Sequence, residues 1–427
     1  MIVKSFVLRS ESFPAIVRQV ADDTIAVVRP EKALVKLFQE LIRQMIVEKK
    51  PTADEAFAAV ASYLDGVSDN PRYQEHKAEF LDYVLDYLRK AMSFAVPVKD
   101  VEAYVLAQCA TLCAEAVAFS ADADVLDGRK LVVCRLHGKV PVFDWAASRE
   151  EIGHKCQGRS RLVVSGGYAR LSQGTVIGIG KGGANLMASL IGSAVGASLI
   201  EFYVEGEGIN GITAMTYDEA AHYCAAAKAP FPSASLWPAK NAGIPIVVKS
   251  ILHPEFAGTL ISASAGETPS AKAVSGIIVD QDLNLVTIYG TGLLGQVGAS
   301  STIFSSLSQE GVNIRFISQT SSEYAISFAV RSQDQETVSR VIGRIIADNP
   351  MLPLDDVMMV NRRVGIVTLY GSRMKNVPGV SGKVYNALGA AGINVIASAQ
   401  GGEELSISVV LDESDLPRAE QALQALA

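Results

Sequence analysis

The side chains best suited to chemistry exclude several kinds of it by their spacing. Five cysteines (Cys109, Cys113, Cys134, Cys156, Cys224) form no CxxC pair and no Cys/His pattern of zinc type. Neither a tetrahedral zinc site nor a dithiol redox centre is expected. Cys109 and Cys113 stand four apart in a helical pattern, which predicts a buried helix face. The five histidines (His76, His137, His154, His222, His253) share no metal-ligand spacing. No Gly-x-Ser-x-Gly elbow and no P-loop occurs, so the common nucleophile and phosphate motifs are missing.

Composition narrows the class further. A chain of 427 residues exceeds one ordinary core and predicts two or three domains. Apolar residues make up 49% and charged residues 19%, a globular balance. The formal charge is −7 and lysines and arginines form no tract, so no nucleic-acid partner is expected. Anionic ligands such as ATP need only a local site. An odd cysteine count without a secretory leader predicts reduced thiols and a cytoplasmic setting. The opening Met1-Ile2-Val3-Lys4-Ser5-Phe6 reads as a strand, and no membrane span is predicted.

The elements that must position any site follow from periodicity. Strands are predicted at 1–8 and 24–28, with a helix at 12–21 between them. Residues 31–119 are helical in pattern, punctuated by Pro51 and Pro71. Strands at 130–134, 161–165, 174–179, 200–204 and 246–249, with a helix near 184–195, predict a largely parallel α/β sheet. The small, polar stretch 262–273 reads as a linker.

The C-terminal part contains a duplication. Val286-Thr287-Ile288-Tyr289-Gly290 recurs as Val367-Thr368-Leu369-Tyr370-Gly371, a shift of 81 residues (367 − 286). The same shift maps Gly298 to Gly379, Gly311 to Gly392, Asn313 to Asn394, Gln319 to Gln400 and Glu323 to Glu404. A constant register over that length marks a repeated module. Each copy reads strand, glycine loop, helix, strand, turn, strand, the front of a ferredoxin-like unit. Gly311 and Gly392 are expected to cap their helices in the left-handed conformation.

Over nearly its whole length the chain resembles the aspartate kinase family. The stretches 311–330 and 377–411 resemble paired ACT modules. Residues 242–262 resemble the segment closing the catalytic domain, 215–232 the helix after its nucleotide region, and 178–211 its glycine-rich loop, helix and acidic strand end. The resemblance implies an amino-acid-kinase (carbamate-kinase-like) three-layer sandwich over 1–262. A linker and the start of the regulatory region follow at 263–282, then two ferredoxin-like ACT modules at 283–350 and 351–427.

The resemblance also implies a site for a small amino-acid effector in the first module. It would use the loop Gln296, Val297, Gly298 and Ala299, strand residues Asn313 and Ile314, and Gln319 with Ser321, Ser322 and Glu323. A glycine loop entering a helix presents free amides to a carboxylate, and Glu323 is placed to answer an ammonium group. The competing reading is that Asn313 and Gln319 only satisfy nearby backbone. ACT pairing further implies a homodimer, or assembly with an active aspartate kinase.

Kinase chemistry needs a cation on the transferring group, close backbone donors and acids to hold a metal. The family's opening Lys-Phe-Gly-Gly-Thr-Ser aligns with Ser5-Phe6-Val7-Leu8-Arg9-Ser10, which lacks the lysine and both glycines. Its Gly-Glu-Arg aligns with Cys109-Ala110-Thr111, and its Gly-Arg-Gly-Gly-Ser-Asp with Gly180-Lys181-Gly182-Gly183-Ala184-Asn185. Gly180, Gly182 and Gly183 either border a nucleotide or only make a tight turn. The acidic strand end aligns with Glu205-Gly206-Glu207-Gly208, and Lys228 with a family lysine. The replacements predict that phosphotransfer is lost while sensing and assembly remain. The alternative is a divergent kinase, with ATP and magnesium, built on Lys181, Glu205, Glu207 and Lys228.

Overall fold

The computed structural model describes residues 1–137, 140–180, 182–204, 209, 212–224, 229–253, 255–264, 273–289, 298–319, 325–348, 358–375 and 377–426. Two compact units emerge: Met1–Arg135, Val142–Ala220 and Ala229–Glu267 form the first, and Leu136–Pro141, Ala221–Lys228 and Thr268–Ala427 the second.

The N-terminal part runs β1 (Ile2–Leu8), α1 (Phe13–Gln19), β2 (Thr24–Pro30), α2 (Lys32–Ile42), α3 (Asp54–Asp65), α4 (Pro71–Ser93) and α5 (Val98–Ala121). It continues through β3 (Asp124–Leu126), β4 (Val133–His137), β5 (Val140–Phe143), α6 (Trp145–Cys156), β6 (Arg161–Ser165), β7 (Tyr168–Leu171) and β8 (Val176–Gly178). Then come α7 (Gly183–Val195), β9 (Leu199–Val204), β10 (Ala214–Met215), α8 (Tyr217–Cys224), α9 (Trp237–Ala242), β11 (Ile246–Ser250) and β12 (Thr259–Ile261). The main sheet has the order β10-β12-β11-β9-β1-β2-β6-β3. Its pairs from β11 to β3 are all parallel.

Ile25 to Val28 are buried without a break, as expected of a central parallel strand covered on both faces. Helices α1 and α5 cover one face and α7 the other, giving three layers. Helix α5 is long and apolar enough by length and composition to cross a bilayer, but 61% of its apolar window is buried. It packs on β2, β6 and α4 and is a core helix. Cys109 and Cys113 lie on it, both buried, and burial pushes the Cys109 thiol well up.

Two strand predictions shift for local reasons. Residues 128–130 form a 3₁₀ turn capped by Asp127, whose Oδ1 accepts from the Arg129 amide at 2.9 Å, so β4 starts only at Val133. Gly174, at φ +98, turns β7 back on β8, so only Val176–Gly178 of the predicted strand 174–179 is extended.

The C-terminal part runs β13 (Gly276–Tyr289), α10 (Ala299–Gln309), β14 (Ile314–Gln319), β15 (Ala325–Arg331), α11 (Gln335–Asp348) and β16 (Met358–Tyr370). It ends with α12 (Val380–Ala390), β17 (Ala397–Gln400), β18 (Ser406–Asp412) and α13 (Leu416–Leu423). One sheet of order β14-β15-β13-β16-β18-β17 joins both modules. Leu283 pairs with Val364 across β13 and β16, and 364 − 283 equals the repeat shift of 81. The two copies are therefore related by a pseudo-twofold axis through that pair, an isologous contact inside one chain. Equivalent hydroxyl pairs recur on either side: Thr287 with Ser327 at 3.0 Å and Thr368 with Ser408 at 2.8 Å.

Residues 276–282, within the span expected to hold a linker and the start of the regulatory region, are strand. Gly276 to Asp280 pair with Tyr370 to Ile366, and Val274 joins the core of the second module with Val367, Val384 and Leu423. The second module thus takes its fourth strand from residues that precede the first. A bulge follows at Asp280/Leu283. There Arg315 grips Asp280 Oδ2 (Nε 2.9 Å, Nη2 2.7 Å) and Arg331 Nη2 lies 3.0 Å from Oδ1. Gly311 (φ +79) and Gly392 (φ +66) end their helices in the left-handed conformation, as expected.

Candidate functional site

Chain order in the main sheet reverses between β1 and β9: β2 and β6 lie to one side, β11 to the other. In open α/β sheets, ligands bind beyond the strand carboxyl ends at such a reversal. Here the crevice is lined by Phe6, Val7, Arg9 and Ser12 of the β1 end, Tyr203 and Val204 of β9, and Ile251 and Leu252 after β11. Its free volume is about 10 Å³, close to the room one water needs. The rings of Phe6 and Tyr203 stack at 4.6 Å across it. Arg9, at its rim, points Nε to Glu31 Oε2 at 3.3 Å, and Tyr63 donates to the same carboxylate.

Successive residues of β1 face opposite ways. Ser5, fully buried, donates to Asn185 Oδ1 at 2.9 Å in the first turn of α7. Lys4 turns to the α1 side instead. It lies 3.4 Å from Glu201 Oε2 and donates to Gln19 Oε1 at 2.9 Å. Lys249 of β11 pairs with Glu201 Oε1, and the Tyr203 hydroxyl donates to Gln19 at 3.0 Å. Lys4 therefore does not stand in for a lysine at position 5. Burial and the adjacent Glu201 carboxylate push the Tyr203 hydroxyl well up, keeping it a neutral donor. This network was not singled out from the sequence, though a signal existed: Glu201 and Lys249 each interrupt an otherwise apolar central strand.

The glycine-rich loop is packed by protein. Gly182 has φ +72, and a Cβ there would meet Pro232 Cδ at 2.2 Å. A Cβ on Gly183 would meet Ile179 Cγ1 at 2.6 Å and Gly167 Cα at 3.0 Å. The amides of Gly183 and Asn185 already donate to the Gly180 and Gly182 carbonyls. Gly180 (φ +82) has open space around it. Gly182→Ala is expected to lose about 2–5 kcal/mol of stability from left-handed strain and overpacking, read by urea unfolding. Unchanged stability would assign this glycine to ligand approach instead. Lys181, Glu205, Glu207 and Lys228 lie outside the described residues.

Cys109 and Ala110 are buried in α5, and Thr111 Oγ1 donates to Ser165 Oγ at 3.3 Å. No charged side chain stands at those three positions.

In the first repeat, the predicted effector residues separate. Gln319 ends β14 opposite Ile326, beside the end of β13 that leads toward α10. Gly298 (φ +94) opens α10, followed by Ala299. Asn313 and Ile314 stand at the other end of β14, where Ile314 faces Val330. An extended strand rises about 3.3 Å per residue, so Asn313 and Gln319 are roughly 20 Å apart within this module. Their closeness in sequence to the glycine cap suggested otherwise. Gln296, Val297, Ser321, Ser322 and Glu323 lie outside the described residues.

Comparison with known proteins agrees with this architecture. The ACT domain family matches residues 286–344 and 367–426. A bifunctional aspartokinase/homoserine dehydrogenase from Daucus carota chloroplasts is 27% identical over 338 residues, covering 71% of this chain and 35% of that protein. The chain thus spans about a third of that relative's length. E. coli aspartokinase III, solved in complex with aspartate and ADP, superposes with a TM-score of 0.81 at 16% identity, covering 100% of this chain and 99% of the other. The same protein in complex with lysine and aspartate gives 0.73 at 16% identity, with equal coverage.

Proposed function

Because this chain belongs to the aspartate kinase family, with an amino-acid-kinase domain followed by ACT domains, we propose that it has lost phosphotransfer and kept amino-acid sensing and assembly. The observation carrying this reading is the buried Ser5–Asn185 pair. The resemblance implies lysine and aspartate at those positions in the family. Here both charges are gone together and the two neutral side chains satisfy each other. Restoring one charge alone would leave it buried without its partner.

The stacked Phe6 and Tyr203 rings that line the crevice, and the Gly183 and Asn185 amides bonded within the glycine loop, also support the reading. Loss of a single preorganised donor to a developing charge typically removes about 3 kcal/mol of transition-state stabilisation, and several such groups are replaced. The E. coli relative was solved with lysine, which supports a small amino acid as the effector of the first module. Assembly as a homodimer, or with an active aspartate kinase, is the accompanying role, in the cytoplasm.

A coupled assay with ATP, magnesium and aspartate tests this, with no turnover above background expected. The second reading is a divergent kinase using Lys181, Glu205, Glu207 and Lys228. Turnover abolished by Glu207→Ala would establish it.

A further inference from the structure

The kinase-like domain carries a second groove, between α4 and α5, with about 520 Å³ of free space. That volume suits a small molecule, and the groove shares no lining residue with the crevice at the β1/β9 reversal. Helix α4 contributes His76, Glu79, Phe80 and Tyr83 to it, and α5 contributes Gln108, Thr111, Leu112 and Glu115. Both sets follow the spacing i, i+3, i+4, i+7, so each is one helix face. Phe80 and Leu112 belong to the hydrophobic core of this domain and give the groove an apolar base.

Its polar groups sort to the two ends. At one, His76 Nδ1 lies 3.3 Å from Glu115 Oε2. Glu79 stands one turn further along α4, with no hydrogen-bond or ion-pair partner among the described residues. Burial raises the Glu115 carboxyl above its usual value, His76 offsets part of this, and Glu79 raises it further. At the other end the Tyr83 and Tyr104 hydroxyls are hydrogen-bonded at 2.7 Å, and Gln108 donates to Tyr104 at 3.1 Å. There the protein supplies its own cation. Arg129 lies 5.9 Å from the Tyr104 ring centroid, donates to Gln108 Oε1 at 3.1 Å and is neutralised by Asp127.

No lysine or arginine among the described residues lines the groove itself, so one histidine answers two carboxylates. His76, Glu79 and Glu115 do not converge as a metal site. Carboxylates beside aromatic rings select an organic cation, by charge at the acids and by ring contact along its body. An amino acid fits less well, because its own carboxylate would find no cation in the lining. We propose that this groove binds a small primary amine, its ammonium between Glu79 and Glu115 and its apolar body on Phe80, Tyr83 and Leu112. The site stands apart from both phosphotransfer and amino-acid sensing.

Calorimetric titration of the full chain with phenethylamine tests it, with hydrocinnamate as the anion of similar shape. Saturable binding of one amine per chain is expected, and none of the anion. Glu79→Gln and Glu115→Gln are each expected to weaken the amine about tenfold or more, the loss of a charge-assisted bond. Glu75→Gln, exposed on α4 outside the groove, is expected to leave binding unchanged. Should Glu115→Gln lose its fold, Glu79→Gln, also exposed, carries the test alone. No saturable heat with the amine up to millimolar concentration overturns the proposal. So does equal binding of hydrocinnamate, or equal weakening by Glu75→Gln, which would reduce the effect to general surface charge.

Discussion

Replacing Glu201 with alanine is expected to destabilise the kinase-like domain by about 3–5 kcal/mol, the usual cost of breaking a buried ion pair from one side. Glu201 is 4% exposed and answers two lysines, Lys4 and Lys249. Lys4 is itself almost covered, so without the carboxylate its ammonium keeps only Gln19 as a partner among the described residues. Glu201→Gln retains an acceptor but not the charge and is expected to fall between. Replacing all three charged groups by apolar residues of similar volume is expected to be close to neutral, because desolvation then disappears along with attraction. The readout is convenient. The chain has two tryptophans, Trp145 and Trp237, and they meet edge to face at 5.7 Å within the first unit. Their fluorescence therefore follows that unit in urea. A loss below about 1 kcal/mol, the range of exposed ion pairs, would mean that the network is solvated and structurally idle.

Asp280→Ala is expected to lower the stability of the regulatory unit by about 3 kcal/mol, the low end for buried pairs. The carboxylate is 6% exposed, but Arg315 and Arg331 retain some access to water. The clamp sits at the bulge where β13 passes from the second module's sheet to the first's, so its loss is expected to loosen β14 and β15 ahead of β18. Hydrogen exchange on those strands measures this. The repeat supplies a comparison: positions 280, 315 and 331 correspond to Asn361, Ile396 and Asp412. The carboxylate and both arginines are absent together from the other copy, as expected of a coupled unit. Uniform loosening of both modules would show that the clamp supports the whole sheet instead.

Much of this was legible in the sequence, for identifiable reasons. Strands β1, β2, β6, β9 and β11 are apolar runs with clear ends, and the duplication is preserved at the level of individual hydroxyl pairs. The four-stranded arrangement of β4, β5, β7 and β8 was not read as a sheet, because short edge strands carry little periodicity. The placement of 276–280 was hidden too. A strand completing a later module leaves no local mark, and only its partner at 366–370 identifies it. In the kinase-like domain the sequence named Ser5 and Asn185 separately as departures from the family. Only the fold shows that they touch across 180 residues. In the expected effector region the glycine opening α10 was legible, whereas the extension of β14, which sets Asn313 and Gln319 at opposite ends, was not.

Titration calorimetry of magnesium ATP into the full chain tests the central claim most directly, since binding precedes any transfer. Ser5 and Asn185 satisfy each other, and Phe6 and Tyr203 stack beside the β1 end, so no saturable heat is expected up to millimolar nucleotide. Saturable binding there, weakened by Glu207→Ala, would contradict the account and show that a working nucleotide site persists on this fold.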